Sequence, residues 1–169
     1  MGERLVYISM GSNLGDRESN LAQATMALSV NLEISKIKSS SYYNTEPMYI
    51  LDQPDFLNSV VRLSTKLSPF DFLDTIKKVE KMLGSSSKRK KNRPRIIDID
   101  ILFHGDSVIE TDSLIIPHPM IALRKFVLVP FAEIEPNFKI PHSNLTINDL
   151  IEHCPDKSRV EKHFMNTQA

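Results

Sequence analysis

The sequence predicts an α+β domain whose elements run strand, helix, strand, strand, helix, strand, with both helices on one side of an antiparallel sheet. Three observations predict it. Short β-branched and aromatic runs read as strands, two stretches carry apolar residues at helical spacing, and turn residues stand at the junctions.

"RLVYISM", from Arg4 to Met10, is the first strand, and "GSNLGD" supplies the turn that ends it. Asp16 then caps a helix along which Leu21, Ala24, Thr25 and Leu28 share a face. Leu32 to Tyr43 and Phe56 to Thr65 read as two further strands. The segment between them, "NTEPMYILDQPD", holds two prolines and turn formers and reads as a long loop. Ser68 caps a second helix with Pro69 in its first turn. Phe72, Leu73, Ile76, Val79 and Leu83 line one face of it, and Gly84 closes it. After the polar loop "SSSKRKKNRPR", the run "IIDIDILF" is the fourth strand.

This order is the split βαβ, or ferredoxin-like, arrangement, and it predicts that the face opposite the helices is left free for a ligand. Beyond residue 104 the prolines in "PHP", "VLVPF", "IEPNF" and "IPH" predict a C-terminal extension of short elements, with a short helix in "TINDLIEHC". There is no internal repeat and no composition break, so residues 1–169 are expected to form one domain.

Lys and Arg number 21, as do Asp and Glu, so there is no bulk charge to attract nucleic acid or an anionic membrane. A single cysteine, Cys154, excludes an internal disulfide framework, and no Cys/His spacing matches a zinc site. The apolar stretch at the N-terminus is too short for a signal peptide, and nowhere does an apolar run reach the roughly 18 residues of a membrane span. The expectation is a soluble cytoplasmic protein that works as a monomer.

The informative feature is the pair of acids inside the fourth strand. Successive side chains on a strand point to opposite faces, so Ile97, Ile99 and Ile101 share the core face while Asp98 and Asp100 share the other. Their α-carbons then lie roughly 7 Å apart. Two such anions repel, so one becomes protonated or a cation settles between them; the plainer alternative is a solvent-facing pair, or one salt-bridged to Arg93 and Arg95. Few protein oxygens and a hard cation point to magnesium, which completes its shell with water and substrate phosphates. The basic run Lys88, Arg89, Lys90, Lys91, Arg93 and Arg95 just upstream reads by itself as a solvated loop or a nucleic-acid patch, but beside the acids it favours nucleotide phosphate binding, because polyphosphate transfer needs cations around the moving group.

"PRIIDIDIL" resembles the signature of the 6-hydroxymethyl-7,8-dihydropterin pyrophosphokinases. "ISMGSNLGDRESNL", "YYNTEPMYILDQPDFLNSVV" and "IPHPMIALRKFVLVPFAEIEP" resemble that family's opening strand and helix, its pterin loop and its C-terminal segment, in the same order. The resemblance implies transfer of diphosphate from ATP to the pterin hydroxymethyl group, releasing AMP, in folate biosynthesis. It implies two magnesium ions held by Asp98 and Asp100, with Arg95 beside them as a catalytic group. It implies pterin contacts at Thr45, Pro47, Met48, Phe56, Asn58 and Phe126. For ATP it implies Glu80, Lys88, Arg95, Ile101, His118 and Arg124.

The residue types suit these roles. A flat heterocycle with a donor and acceptor edge wants aromatic faces and an amide, and Arg95 can fork two phosphate oxygens. Without the resemblance, Phe56 and Phe126 read as core, Glu80 as an exposed helix residue paired with a lysine, and His118 as structural. The chain departs from the family after the second helix. There Gly84-Ser85-Ser86-Ser87 stands in place of a Gly-Arg-x-Arg run, so residues 88–91 are left to replace the arginines. Two rival readings exist: an RNA-binding ferredoxin-like module and a metal-dependent nuclease or nucleotidyl transferase. The first lacks the exposed strand aromatics that stack bases, since the first strand offers Tyr7 alone.

Overall fold

A computed structural model describes residues 2–85 and 92–165. β1 (Arg4–Ser12) lies between β4 (Phe56–Thr65) and β5 (Asp98–His104), antiparallel to both. β4 pairs on its far side with β2 (Ile34–Ser39) and β3 (Tyr43–Thr45), and β3 pairs in turn with β8 (Val160–Lys162). The resulting order, β5-β1-β4-β3-β8 with β2 on β4, keeps the predicted arrangement and adds an outer strand from the C-terminal segment.

The strand expected from Leu32 to Tyr43 is two strands with a break between them. Ser40 explains the break: its N–H donates to the Val60 carbonyl at 2.9 Å, but its hydroxyl accepts from Val60 N–H at 3.0 Å. A side-chain oxygen thus stands in for a ladder carbonyl, and the backbone is free to turn.

Helices α1 (Arg17–Ser29) and α2 (Pro69–Met82) cover one face. Asp16 caps the first by accepting from Ser19 N–H, and Ser68 caps the second by accepting from Asp71 N–H. Beneath them Val6, Ile8, Leu21, Leu28, Phe72 and Ile76 form one core with Ile97, Ile99 and Ile101, so the alternation of β5 runs as expected.

The other face is only half free. α3 (Lys125–Ile134) crosses it and packs Val127, Leu128 and Phe131 against Tyr7, Val60, Leu102 and Phe103. The Tyr7 and Phe131 rings stack at 4.8 Å, and Phe103 meets both edge-on. Pro130 hid this helix from the sequence reading, because an interior proline has no N–H to give and clashes with the preceding turn. Here the apolar side buried against the sheet outweighs that cost. The extension continues through the hairpin β6 (Ile109–Glu110) and β7 (Ile115–Ile116), a short 3₁₀ turn at Ile121–Leu123, and α4 (Ile147–His153) with its Thr146/Asp149 capping box. Among the described residues no helix is long and apolar enough to cross a membrane.

Candidate active site

The half of the sheet that α3 leaves open is where the chemistry-bearing residues gather. Register puts Gly11 of β1 opposite Asp98 of β5 on one side and Asn58 of β4 on the other, and Ser9 opposite Asp100. Gly11 must lack a side chain here, since a Cβ would stand 2.5 Å from Asn58 Oδ1. The glycine keeps the floor flat between carboxylate and amide. Above it opens a cleft of about 210 Å³.

From the pterin set, Thr45, Met48, Phe56, Asn58 and Phe126 line this cleft and Pro47 does not. Asn58 is buried, and its Nδ2 donates to Thr45 Oγ1 at 2.6 Å. That bond leaves Oδ1 as an acceptor above Gly11. Phe56 and Phe126 are half-buried rather than core residues, and the Arg124 guanidinium lies 5.7 Å from the Phe126 ring centre.

From the phosphate set, Arg95, Asp98, Asp100, His118 and Arg124 line the cleft. Arg95 Nη1 reaches Asp98 Oδ1 at 2.6 Å, while Arg124 Nη1 and His118 Nε2 stand 3.5 and 3.8 Å from Asp100 Oδ2. Burial and then the neighbouring Asp98 charge push the Asp100 carboxyl up to about 6, against the pull of Arg124. Burial is the larger cause, and the Asp98 charge adds the like-charge repulsion expected of the pair. Burial and Arg124 lower His118 to about 4, so at neutral pH the ring is uncharged. Its Nδ1 accepts from Met120 N–H at 3.1 Å, which puts the ring proton on Nε2, toward Asp100 and the cleft.

Among the described residues no group of three or more His, Cys, Asp or Glu side chains could hold a metal ion. A cation at Asp98 and Asp100 would therefore draw most of its shell from water and substrate oxygens. The donor set fits magnesium on that ground, and a cation there would relieve the repulsion that raises Asp100.

Glu80 and Ile101 lie outside the cleft. Ile101 is buried among the helix-side core. Glu80 is buried too, not the exposed residue its helical position predicts: Oε1 accepts from Ile99 N–H at 2.8 Å and Oε2 from Lys77 Nζ at 3.0 Å. It thereby pins the outer edge of β5 between the two aspartates. Replacing Glu80 by alanine leaves a buried N–H unpaired and is expected to lower stability by about 1–3 kcal/mol, whereas glutamine, which keeps an acceptor, should cost less. Urea denaturation of both variants measures this. Lys88 lies outside the described residues.

The sequence reading passed over Asn13. Its side chain, 2% exposed, accepts from Arg95 N–H at 2.7 Å and donates to Gln53 Oε1 at 3.0 Å and to the Pro54 carbonyl at 3.1 Å. One amide thus ties the end of β1 to the loop before β4 and to the backbone that carries the Arg95 guanidinium. Gln53 continues the link by donating to the Asn92 carbonyl at 3.2 Å. "GSNLGD" signals a turn, and nothing in it marks the asparagine as the buried member.

Paired carboxylates and guanidinium groups converging beside aromatic rings are the chemistry of proteins that move phosphoryl groups onto a flat organic acceptor. Comparison with known proteins agrees. Residues 7–136 match the 7,8-dihydro-6-hydroxymethylpterin-pyrophosphokinase family, and the chain belongs to it. It is 42% identical over 130 residues to the 2-amino-4-hydroxy-6-hydroxymethyldihydropteridine pyrophosphokinase of Bacillus subtilis, covering 77% of each chain. To the Haemophilus influenzae protein of the same name it is 34% identical over 155 residues, 92% of this chain and 96% of that one. The folic acid synthesis protein FOL1 of Dictyostelium discoideum is 36% identical over 94% of this chain, which spans only 24% of that longer protein. A crystal structure of Plasmodium falciparum HPPK-DHPS shares the fold, with a TM-score of 0.72 at 18% identity, over 90% of this chain and 45% of that one.

Proposed function

We propose that this chain transfers the terminal diphosphate of ATP to the hydroxymethyl oxygen of 6-hydroxymethyl-7,8-dihydropterin, releasing AMP, with magnesium held at Asp98 and Asp100. The observation that carries the reading is a single cleft in which the Asn58 amide and the Phe56 and Phe126 rings adjoin Asp98, Asp100, Arg95 and Arg124. The family membership and the similarity to bacterial pyrophosphokinases along most of both chains support it.

Each residue has a task that its geometry suits. Asn58 Oδ1 accepts from the pterin's donor edge, and Phe56 and Phe126 offer faces for the ring. Arg95 and Arg124 fork phosphate oxygens, and His118 donates from Nε2 to another. Asp98 and Asp100 hold the cations; when bound, magnesium supplies Lewis acidity and charge neutralisation across the polyphosphate. Glu80 acts through β5, by keeping Ile99 and its flanking aspartates in register, rather than by touching nucleotide. Such a transfer is positioning plus electrostatics and needs no nucleophile from the protein. We read the chain as one domain, in keeping with the single six-stranded sheet that also takes in β8 from the C-terminal segment, and as a cytoplasmic monomer.

Mass spectrometry of the pterin product tests the reading. Gain of a diphosphate group supports it, and gain of a single phosphate would make the chain an ordinary kinase. The RNA-binding alternative is disfavoured by α3, which covers Tyr7, the one aromatic of β1, to 1% exposure.

A further inference from the structure

The family match ends at residue 136, yet a segment well beyond it touches both parts of the chain that bring phenylalanines to the cleft. Residues Asp156 to Arg159 connect the end of α4 to β8.

On one side the segment holds α3. Arg124, at the N-cap of that helix, makes no capping bond with its own side chain. Asp156 Oδ2 does so from a distance, accepting from Lys125 N–H at 3.0 Å, while Oδ1 accepts from Ser158 N–H at 2.9 Å. Lys125 Nζ closes the link by donating to the Ser158 carbonyl at 3.1 Å. Lys125 stands between Arg124 and Phe126, both of which line the cleft.

On the other side the segment holds both ends of the loop between β3 and β4. Arg159 N–H donates to Glu46 Oε1, and Glu46 N–H donates back to the Arg159 carbonyl at 3.3 Å. The Arg159 guanidinium bonds Asp55 Oδ2 through Nη2 at 2.7 Å. Glu46 and Asp55 bracket the stretch that contributes Met48, Tyr49 and Gln53 to the cleft, and Asp55 directly precedes Phe56.

We propose that Asp156–Arg159 is a strap that fixes the spacing of Phe56 and Phe126, making Asp156 and Arg159 positioning residues for the flat substrate. The inference rests on the function proposed above, since it assigns that cleft to a pterin. The strap is not what closes the loop, because Thr45 and Phe56 already pair across β3 and β4. Cutting it should therefore loosen the slot without unfolding the sheet.

Two measurements on Arg159→Ala and Asp156→Ala test this. Direct titration should show pterin affinity falling about fivefold in Arg159→Ala, the upper end for a partly exposed ion pair, with affinity for a non-hydrolysable ATP analogue unchanged; Asp156→Ala, which frees the backbone next to Arg124, should weaken both ligands. Arg159→Lys, which keeps the charge facing Asp55, should recover part of the loss. Amide hydrogen exchange, which needs no ligand, should quicken in residues 46–55 and in the first turn of α3 and stay as in wild type in β1 and β5. Unchanged exchange in those two segments, or equal loss of both ligands in Arg159→Ala, overturns the strap. Absence of pterin binding by the wild-type protein, with the exchange pattern still seen in the variants, would contradict the proposed function and leave the strap standing as a structural device.

Discussion

Asp98→Ala and Asp100→Ala are each expected to slow diphosphate transfer by at least about 10²–10³-fold, the usual loss when one preorganised electrostatic contact to the transition state is removed. The folded structure should persist in both, because the two side chains face the cleft and Ile97, Ile99 and Ile101 keep their core contacts. In the absence of metal, Asp100→Ala should hold or raise thermal stability at neutral pH. The sign follows from the direction of its shift: an acid whose folded pKa is raised to about 6 favours folding only while protonated, and that contribution fades as pH rises through the folded value. Asp98→Ala also releases the Arg95 guanidinium held at 2.6 Å, so its stability should move less in that direction. Steady-state rates with excess magnesium, together with melting curves in chelator, check both parts. Near wild-type turnover in either variant would remove the carboxylates from the reaction.

Asn58→Ala carries the second large effect, and it should fall on one substrate. Asn58 is 6% exposed, with Nδ2 committed to Thr45 Oγ1 and Oδ1 turned over Gly11. Deleting the amide strands the donor edge of the bound heterocycle, which costs about 1–3 kcal/mol of affinity, or roughly five- to 150-fold. Binding of an ATP analogue should be little changed. Gly11→Ala should reproduce much of the loss with Asn58 intact, because the added methyl would stand 2.5 Å from Oδ1 and must displace it. Isothermal titration of each ligand into each variant separates the cases. Equal weakening of both ligands would make Asn58 a structural residue of the sheet.

The sheet framework was legible because its signals are local. Phe56–Thr65 reads as a strand from its own composition, and Ser68, Pro69 and Gly84 mark the two ends of α2 from its own sequence. The alternation of "IIDIDIL" fixed which face the aspartates take. What stayed hidden depends on contacts between distant segments. β8 is three residues long and exists because β3 is there to pair with it. α3 survives Pro130 because Phe131 and its neighbours find Tyr7 and Phe103. Glu80 has a common helical context, and its burial comes from the Ile99 amide, 19 residues onward. Asn13 sits in an ordinary turn, and its role appears only when residues 53–54 and 95 fold back onto it. The resemblance to the pyrophosphokinases supplied Thr45, Met48, Phe56, Asn58 and Phe126 together, a grouping no local signal carries, and the structure brings those five to one cleft.

Joining a polyphosphate to a pterin is the task proposed for the open half of the sheet. The most direct measurement is the nucleotide product formed from ATP and magnesium with and without 6-hydroxymethyl-7,8-dihydropterin. AMP is the expected product, in amounts that track the pterin added and absent without it. Release of ADP, or AMP formed equally without pterin, would contradict it.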